Sequence, residues 1–242
     1  MSFPFKAVLF DWAYTLVDLV DEDDRAAFVR LADFLHGRGV DLPDFETLFA
    51  TYQDLFYGLI DESRRTHREA CFETVLNYLF FYYGIKLEGR ASWEETLVTY
   101  YEVIHRVRTV YPDVVCTLEP MQEAGVRMGV VSNTTNPKFI KDEERHRTRL
   151  DRFFEFALYS SDMPYRKPHP SIFRAAVERL ELDVRDILFV GDHLEMDIAG
   201  AQAVGMSAAW LNRSGSTLTD GVNPDYLLTS LSDLLQITPF KV

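Results

Sequence analysis

Lys6-Ala7-Val8-Leu9-Phe10-Asp11 is an apolar run that stops at a carboxylate, and Trp12-Ala13-Tyr14-Thr15-Leu16-Val17-Asp18 follows it. Four consecutive apolar residues between polar ones have the length and continuity of a strand covered on both faces. Comparable runs recur at 127–131, 156–159, 186–190 and 207–211. Helical patterns fit between them at 118–123, 170–180 and 196–204, the first two ending near Gly125 and Leu182. That alternation predicts an α/β fold, a parallel sheet with helices on both faces. Ligands of such sheets lie at the carboxyl ends of the strands. Asp11, Ser132 and Asp192 each fall one or two residues past an apolar run, so they are expected to converge there.

The stretch from about Asp21 to Arg108 has a different period. Ala26, Phe28, Val29, Leu31, Ala32 and Leu35 recur near helical spacing, as do Leu48, Tyr52, Leu55 and Phe56, then Cys71, Val75, Leu79 and Tyr82. No strand-like run interrupts them, and Gly37, Gly39, Pro43 and Gly84 mark turns. The expected organisation is an α/β core from 1–18 and 110–242 with a helical insert at 19–109. The aromatic stripe Tyr78, Phe80, Phe81, Tyr82 and Tyr83 is expected in the core of that insert, with the lining of a pocket as the alternative.

Composition limits the possible functions. A chain of 242 residues, 47% hydrophobic, can bury a full core. No apolar run approaches the ~20 residues of a membrane span, and the start lacks a signal peptide's order of charge then apolar stretch. The expectation is a cytoplasmic protein with no membrane partner. Its net charge of −13 disfavours nucleic acid and leaves a cation unopposed. Cys71 and Cys116 are too few for a disulfide framework or a four-thiolate zinc site.

Three later segments supply what a reactive strand-end carboxylate needs: Val130-Val131-Ser132-Asn133, Lys167-Pro168-His169-Pro170, and Gly191-Asp192-His193-Leu194-Glu195-Met196-Asp197. An aspartate that attacks phosphorus splits one difficult displacement into two easier ones. The charge of nucleophile plus phosphate calls for a hard cation with oxygen ligands. A serine hydroxyl and a lysine near a phosphoryl oxygen hold it and neutralise developing charge. His169 and His193 are expected to cap or face solvent.

In type and order these segments resemble the four motifs of the haloacid dehalogenase-like hydrolase superfamily, most of whose members are magnesium-dependent phosphatases. The resemblance implies a Rossmann-like core and an α-helical cap that selects a small phosphorylated substrate. It implies Asp11 as nucleophile, Ser132, Asn133 and Lys167 as phosphoryl-binding groups, and Mg2+ held by Asp11, the Ala13 carbonyl and Asp192, with Asp197 orienting the ion or its water. Pro224-Asp-Tyr-Leu-Leu-Thr-Ser-Leu-Ser-Asp-Leu-Leu235 resembles the family's last strand and helix.

Ala13 departs from the pattern. The phosphatases carry a second aspartate there, which protonates the leaving alkoxide and later activates water, and Tyr14 replaces the usual glycine. General acid-base help of this kind contributes about 10²–10⁴-fold, roughly 3 to 5 kcal/mol. An activated leaving group would not need it. Three alternatives remain open. Asp11-Trp12-Ala13 is similar to the opening of phosphonoacetaldehyde hydrolases, which use a cap lysine as Schiff base; only Lys86 lies in the 19–109 insert. The 2-haloacid dehalogenases use the aspartate on carbon without metal. A weakly catalytic module that binds a phosphorylated ligand would carry the same residues. Arg64, Arg65 and Arg68 are candidates for an anion or a solvated helix face.

Overall fold

The computed structural model describes residues 3–218 and 221–237. The chain divides into two compact units. One comprises the residues up to Asp18, Thr109–Thr134 and those from Arg145 onward; the other comprises Leu19–Arg108 and Thr135–Glu144. The segment Thr135–Glu144, expected with the α/β core, thus belongs to the helical unit.

The first unit is built on strands β1 (Ala7–Phe10), β2 (Val17–Asp18), β3 (Thr109–Val110), β4 (Arg127–Ser132), β5 (Phe156–Tyr159), β6 (Ile187–Gly191), β7 (Ser207–Leu211) and β8 (Tyr226–Leu228). Six form one parallel sheet in the order β5-β4-β1-β6-β7-β8, while β2 and β3 pair antiparallel apart from it. Every residue of β1 and β6 is buried, as a central parallel strand requires. Phe10 pairs with Val130 on one side and Val190 on the other. That register brings Asp11, Ser132 and Asp192 to the carboxyl edge of three adjacent strands. From β1 the chain builds outward through β4 and β5, then returns to build the other way through β6, β7 and β8. The direction of winding therefore reverses between β1 and β6, at the edge where Asp11 and Asp192 stand.

The second unit holds α1 (Asp24–Gly37), α2 (Phe45–Thr66), α3 (Phe72–Tyr83) and α4 (Trp93–Arg106). Asp23 and Asp44 accept from backbone N–H groups at the starts of α1 and α2, and Ser92 and Glu95 form a capping box on α4. Gly84 ends α3 with φ +64, in the left-handed region that glycine enters at no steric cost. Phe28, Leu31, Tyr52, Phe72, Leu76 and Tyr100 meet in one core, with the Phe72 and Tyr100 rings stacked at 4.4 Å. Of the aromatic stripe, Phe80 joins this core. Tyr78, Phe81 and Tyr82 are exposed, Phe81 by 84%. The reason is helical period: α3 buries Phe72, Val75, Leu76, Leu79 and Phe80, spaced along one face, which leaves 78, 81 and 82 on the other.

The remaining helices are α5 (Pro112–Glu123), α6 (Lys138–Arg147), α7 (Pro170–Leu180) and a short α8 (Gly200–Gln202). Helix α7 has the expected bounds, with Pro170 in the first turn where no N–H is needed. Helix α5 begins at Pro112, six residues before the expected start, because Val114, Thr117, Leu118 and Met121 form one buried stripe. The expected helix at 196–204 is instead a π-helical turn, Leu194–Ala199, that runs into α8. Helix α6 has no sequence signal. Ile140 is its one buried apolar residue, and Lys141 and Glu144 are buried beside it. The last segment forms β8 and a 3₁₀ helix, Leu231–Gln236. Among the described residues no helix is long and apolar enough to cross a membrane.

Candidate active site

Lys167 is the hub of the site. Its side chain is 2% exposed, and its Nζ donates to Asp11 Oδ1 at 2.6 Å and to the Val131 carbonyl at 2.9 Å. It also lies 2.7 Å from Asp197 Oδ1. Asp11, Asp192 and Asp197 each offer a carboxylate oxygen within 4.8 Å of the others. The sheet edge thus brings together Asp11, Ser132, Lys167, Asp192 and Asp197. Ser132 is fully buried, with its Oγ 3.4 Å from the Asn133 carbonyl.

Asn133, expected to meet a phosphoryl group, has its amide committed elsewhere. Its Oδ1 accepts from the Lys167 N–H at 2.8 Å and its Nδ2 donates to the Lys167 carbonyl at 3.0 Å. Gly191 leaves the space that Asp197 fills. A Cβ at Gly191 would come within 2.5 Å of the Asp197 Cβ and Cγ. Asp197 Oδ2 in turn accepts from the His193 N–H at 3.0 Å, which folds the Asp192 loop back on itself. Both histidines cap: His169 Nδ1 accepts from the Ser171 N–H and His193 Nδ1 from the Met196 N–H.

Three carboxylates and one ammonium leave the buried cluster short of positive charge. Burial pushes Asp11 up to about 6, with Asp197 adding to the rise and Lys167 opposing it. Burial, then the charges of Asp11 and Asp197, push Asp192 up to about 8. Burial opposes the charge on Lys167, but Asp11 and Asp197 outweigh it and its pKa is raised. A hard divalent cation with oxygen ligands fits this donor set, because it supplies the missing charge and the site offers it no soft ligand.

Ala13 lies in the turn after Asp11 and bridges to Val17. Tyr14 has φ +58, the conformation for which glycine is the ordinary residue. The Tyr14 N–H donates to the Val17 carbonyl at 2.7 Å. Thr15 is fully buried, with its Oγ1 3.4 Å from Asp192 Oδ1. Two supports escaped the sequence reading. Trp210 donates its indole N–H to the Asp192 carbonyl at 2.8 Å. Arg213 donates to the Thr15 carbonyl at 3.1 Å while its guanidinium is bidentate to Asp113. Both lie at the end of the apolar run 207–211, so the strand-end rule that found Asp11 applies equally to them.

The candidates in the helical unit are solvated. Arg64 and Arg65 pair with Asp61 and Glu62 on their own helix and are largely exposed. Lys86 is exposed in the turn between α3 and α4. Since Thr135–Glu144 belongs to this unit, it holds Lys138 and Lys141 as well as Lys86.

The model of a family described as haloacid dehalogenase-like hydrolase matches residues 44–211. The chain belongs to that family. This haloacid dehalogenase-like hydrolase is 31% identical over 211 residues to a glyceraldehyde 3-phosphate phosphatase of Pyrococcus abyssi, an alignment covering 85% of this chain and 80% of the relative. Among solved structures, a 2-haloacid dehalogenase from Pseudomonas syringae pv. Tomato DC3000 superposes with TM-score 0.71 at 26% identity, covering 96% of this chain and 97% of the other. A HAD phosphatase from Thermococcus onnurineus gives TM-score 0.66 at 26% identity, covering 96% of each. The family match begins after the Asp11 segment, so it is the sheet register that places Asp11 beside Ser132 and Asp192.

Proposed function

We propose that this hydrolase is a magnesium-dependent phosphatase that acts through Asp11 on a small phosphorylated metabolite with an activated leaving group. The observation that carries the reading is the group of buried Asp11 and Asp197 with half-buried Asp192 at the sheet's reversal point, with Lys167 bonded to Asp11. The relatives named as phosphatases support it. Bound Mg2+, held by Asp11, the Ala13 carbonyl and Asp192 with Asp197 orienting it, would neutralise charge on the phosphoryl group. An Asp11 carboxylate oxygen attacks phosphorus, and the bond to the leaving oxygen breaks with its electron pair on that oxygen. Water then hydrolyses the aspartyl-phosphate. Lys167 and the Ser132 hydroxyl hold the phosphoryl oxygens, while Asn133 serves by fixing the Lys167 backbone. Residues 19–109 are proposed as the cap that selects the substrate.

The Ala13 methyl carries no proton, so the leaving oxygen departs without help from that position. Turnover should therefore depend steeply on leaving-group pKa, with aryl and acyl phosphates hydrolysed and simple alkyl phosphates barely so. Ala13→Asp should flatten that dependence. Equal rates on alkyl and aryl phosphates by the unaltered protein would overturn this reading.

One observation favours a second reading: the structural likeness to a 2-haloacid dehalogenase. That activity would release chloride from 2-chloropropionate in the presence of EDTA, whereas the phosphatase would release phosphate only with Mg2+. A phosphonoacetaldehyde hydrolase would be trapped by borohydride on a lysine when given its aldehyde substrate.

A further inference from the structure

A cavity of about 500 Å³ opens beside Asp192, within the α/β unit. Tyr14, Tyr111, Leu194 and Trp210 give it apolar and aromatic walls. Its volume lies in the range of small-molecule sites, and so does its make-up of aromatic walls with a few polar groups.

Tyr14 is held there at a conformational cost. At φ +58 its Cβ crowds the backbone, which a glycine would avoid, yet the residue is a half-exposed tyrosine that lines this cavity. A strained residue that glycine would relieve points to a use for its side chain.

The polar groups around the cavity narrow the class of ligand. The charge of Arg213 is spent on Asp113, and its guanidinium lies over the Tyr111 ring at 4.1 Å from the centroid. The Asn212 amide is turned back to its own loop, accepting from the Ser216 N–H and donating to the Ser216 carbonyl. Glu195 also lines the space and disfavours an anionic organic group. Tyr14, Tyr111 and Trp210 offer aromatic contact area that suits an uncharged ring. We propose that this cavity is a subsite for an aromatic group, with Tyr14 as the specificity-determining residue, and that the substrate is an aryl phosphate. The substrate assignment rests on the phosphatase reading above; the aromatic subsite does not. The two agree chemically, because an aryloxide leaves readily without the proton that Ala13 cannot give.

The test is calorimetric titration, in saturating Mg2+, of phenylphosphonate and methylphosphonate into the unaltered protein, Tyr14→Gly and Tyr14→Phe. Phenylphosphonate should bind the unaltered protein at least ~10-fold tighter than methylphosphonate. Tyr14→Gly, which suits the backbone conformation, should shrink that ratio below ~3-fold, and Tyr14→Phe should preserve it. An unaltered ratio in Tyr14→Gly, or equal measurable binding of the two phosphonates by the unaltered protein, would overturn the subsite. 4-Nitrophenol followed by ligand-observed NMR separates the two readings. If it binds and Tyr14→Gly abolishes the signal while neither phosphonate binds, the subsite stands and the phosphatase reading falls. If neither phosphonate nor 4-nitrophenol binds, both fall.

Discussion

Asn133 and Lys167 are joined by a reciprocal pair of hydrogen bonds, the lysine N–H to Asn133 Oδ1 at 2.8 Å and Asn133 Nδ2 to the lysine carbonyl at 3.0 Å. One side chain thereby ties the end of β4 to the loop before α7 and sets the point from which the Lys167 side chain reaches Asp11. Asn133→Ala leaves both main-chain groups without partners. We expect a loss of about 2–6 kcal/mol in urea unfolding, each of the two groups costing about 1–3. Binding of inorganic phosphate should weaken in the same variant. If stability is unchanged, the pair contributes no constraint.

Gly191→Ala tests the packing of Asp197. The added methyl cannot coexist with the Asp197 side chain where it stands. Overpacking should cost about 1–3 kcal/mol. Calorimetry should show weaker Mg2+ binding as well. Retained Mg2+ affinity would mean that Asp197 is not needed in its place.

Trp210→Phe removes the donor to the Asp192 carbonyl while keeping an aromatic ring at the end of β7. One lost hydrogen bond is worth about 1 kcal/mol, so Mg2+ affinity should fall about fivefold if the bond positions Asp192. A fall in melting temperature with Mg2+ affinity intact would assign Trp210 to packing alone.

Mg2+ binding should be linked to protons. Asp192 stands at about 8 and Asp11 at about 6 in the metal-free protein, both raised first by burial. Asp192 is therefore protonated at pH 7, and a cation that takes its carboxylate displaces the proton. Titrations in buffers of different ionisation enthalpy should show proton release, and apparent affinity should rise with pH up to about 8. The stability of the metal-free protein follows the same sign. Both folded values lie above the ordinary 3.8, so the contribution is full below about pH 4 and is lost as pH rises through about 6 and then about 8.

Glu144 behaves in the opposite sense. Burial would raise it, but Lys141 at 2.6 Å and Arg108, with His105 nearby, hold it down to about 2. Its contribution is present above the ordinary 4.5 and is lost as pH falls toward about 2. Glu144→Gln should flatten that acid limb in denaturant titrations. It should also cost about 3–5 kcal/mol at neutral pH, because Arg108 and Lys141 lose a buried counter-charge.

The sheet and the gathering of Asp11, Ser132 and Asp192 were legible because β1, β4, β6 and β7 are buried on both faces and read as unbroken apolar runs. Helix α7 was legible from Pro170 and a regular stripe. Helix α6 was not. It buries a lysine and a glutamate, and what makes that tolerable is Arg108, far away in the chain. The exposure of Tyr78, Phe81 and Tyr82 on α3 was not legible for a related reason: consecutive aromatics do not reveal which face of a helix meets a neighbour.

By itself the sequence determined the fold class, the edge at which chemistry is possible and the residue types available there, since these follow from period, run length and the position of a carboxylate after a strand. Only the tertiary structure decided how those residues are used. It turned Asn133 from the expected substrate contact to the Lys167 backbone, placed Trp210 on the Asp192 carbonyl, set Tyr14 in a left-handed turn beside a cavity, and left two buried carboxylates and a half-buried one with one lysine. Hydrogen-bond direction, burial and the balance of charge depend on distances between segments remote in the chain, and local pattern does not carry them.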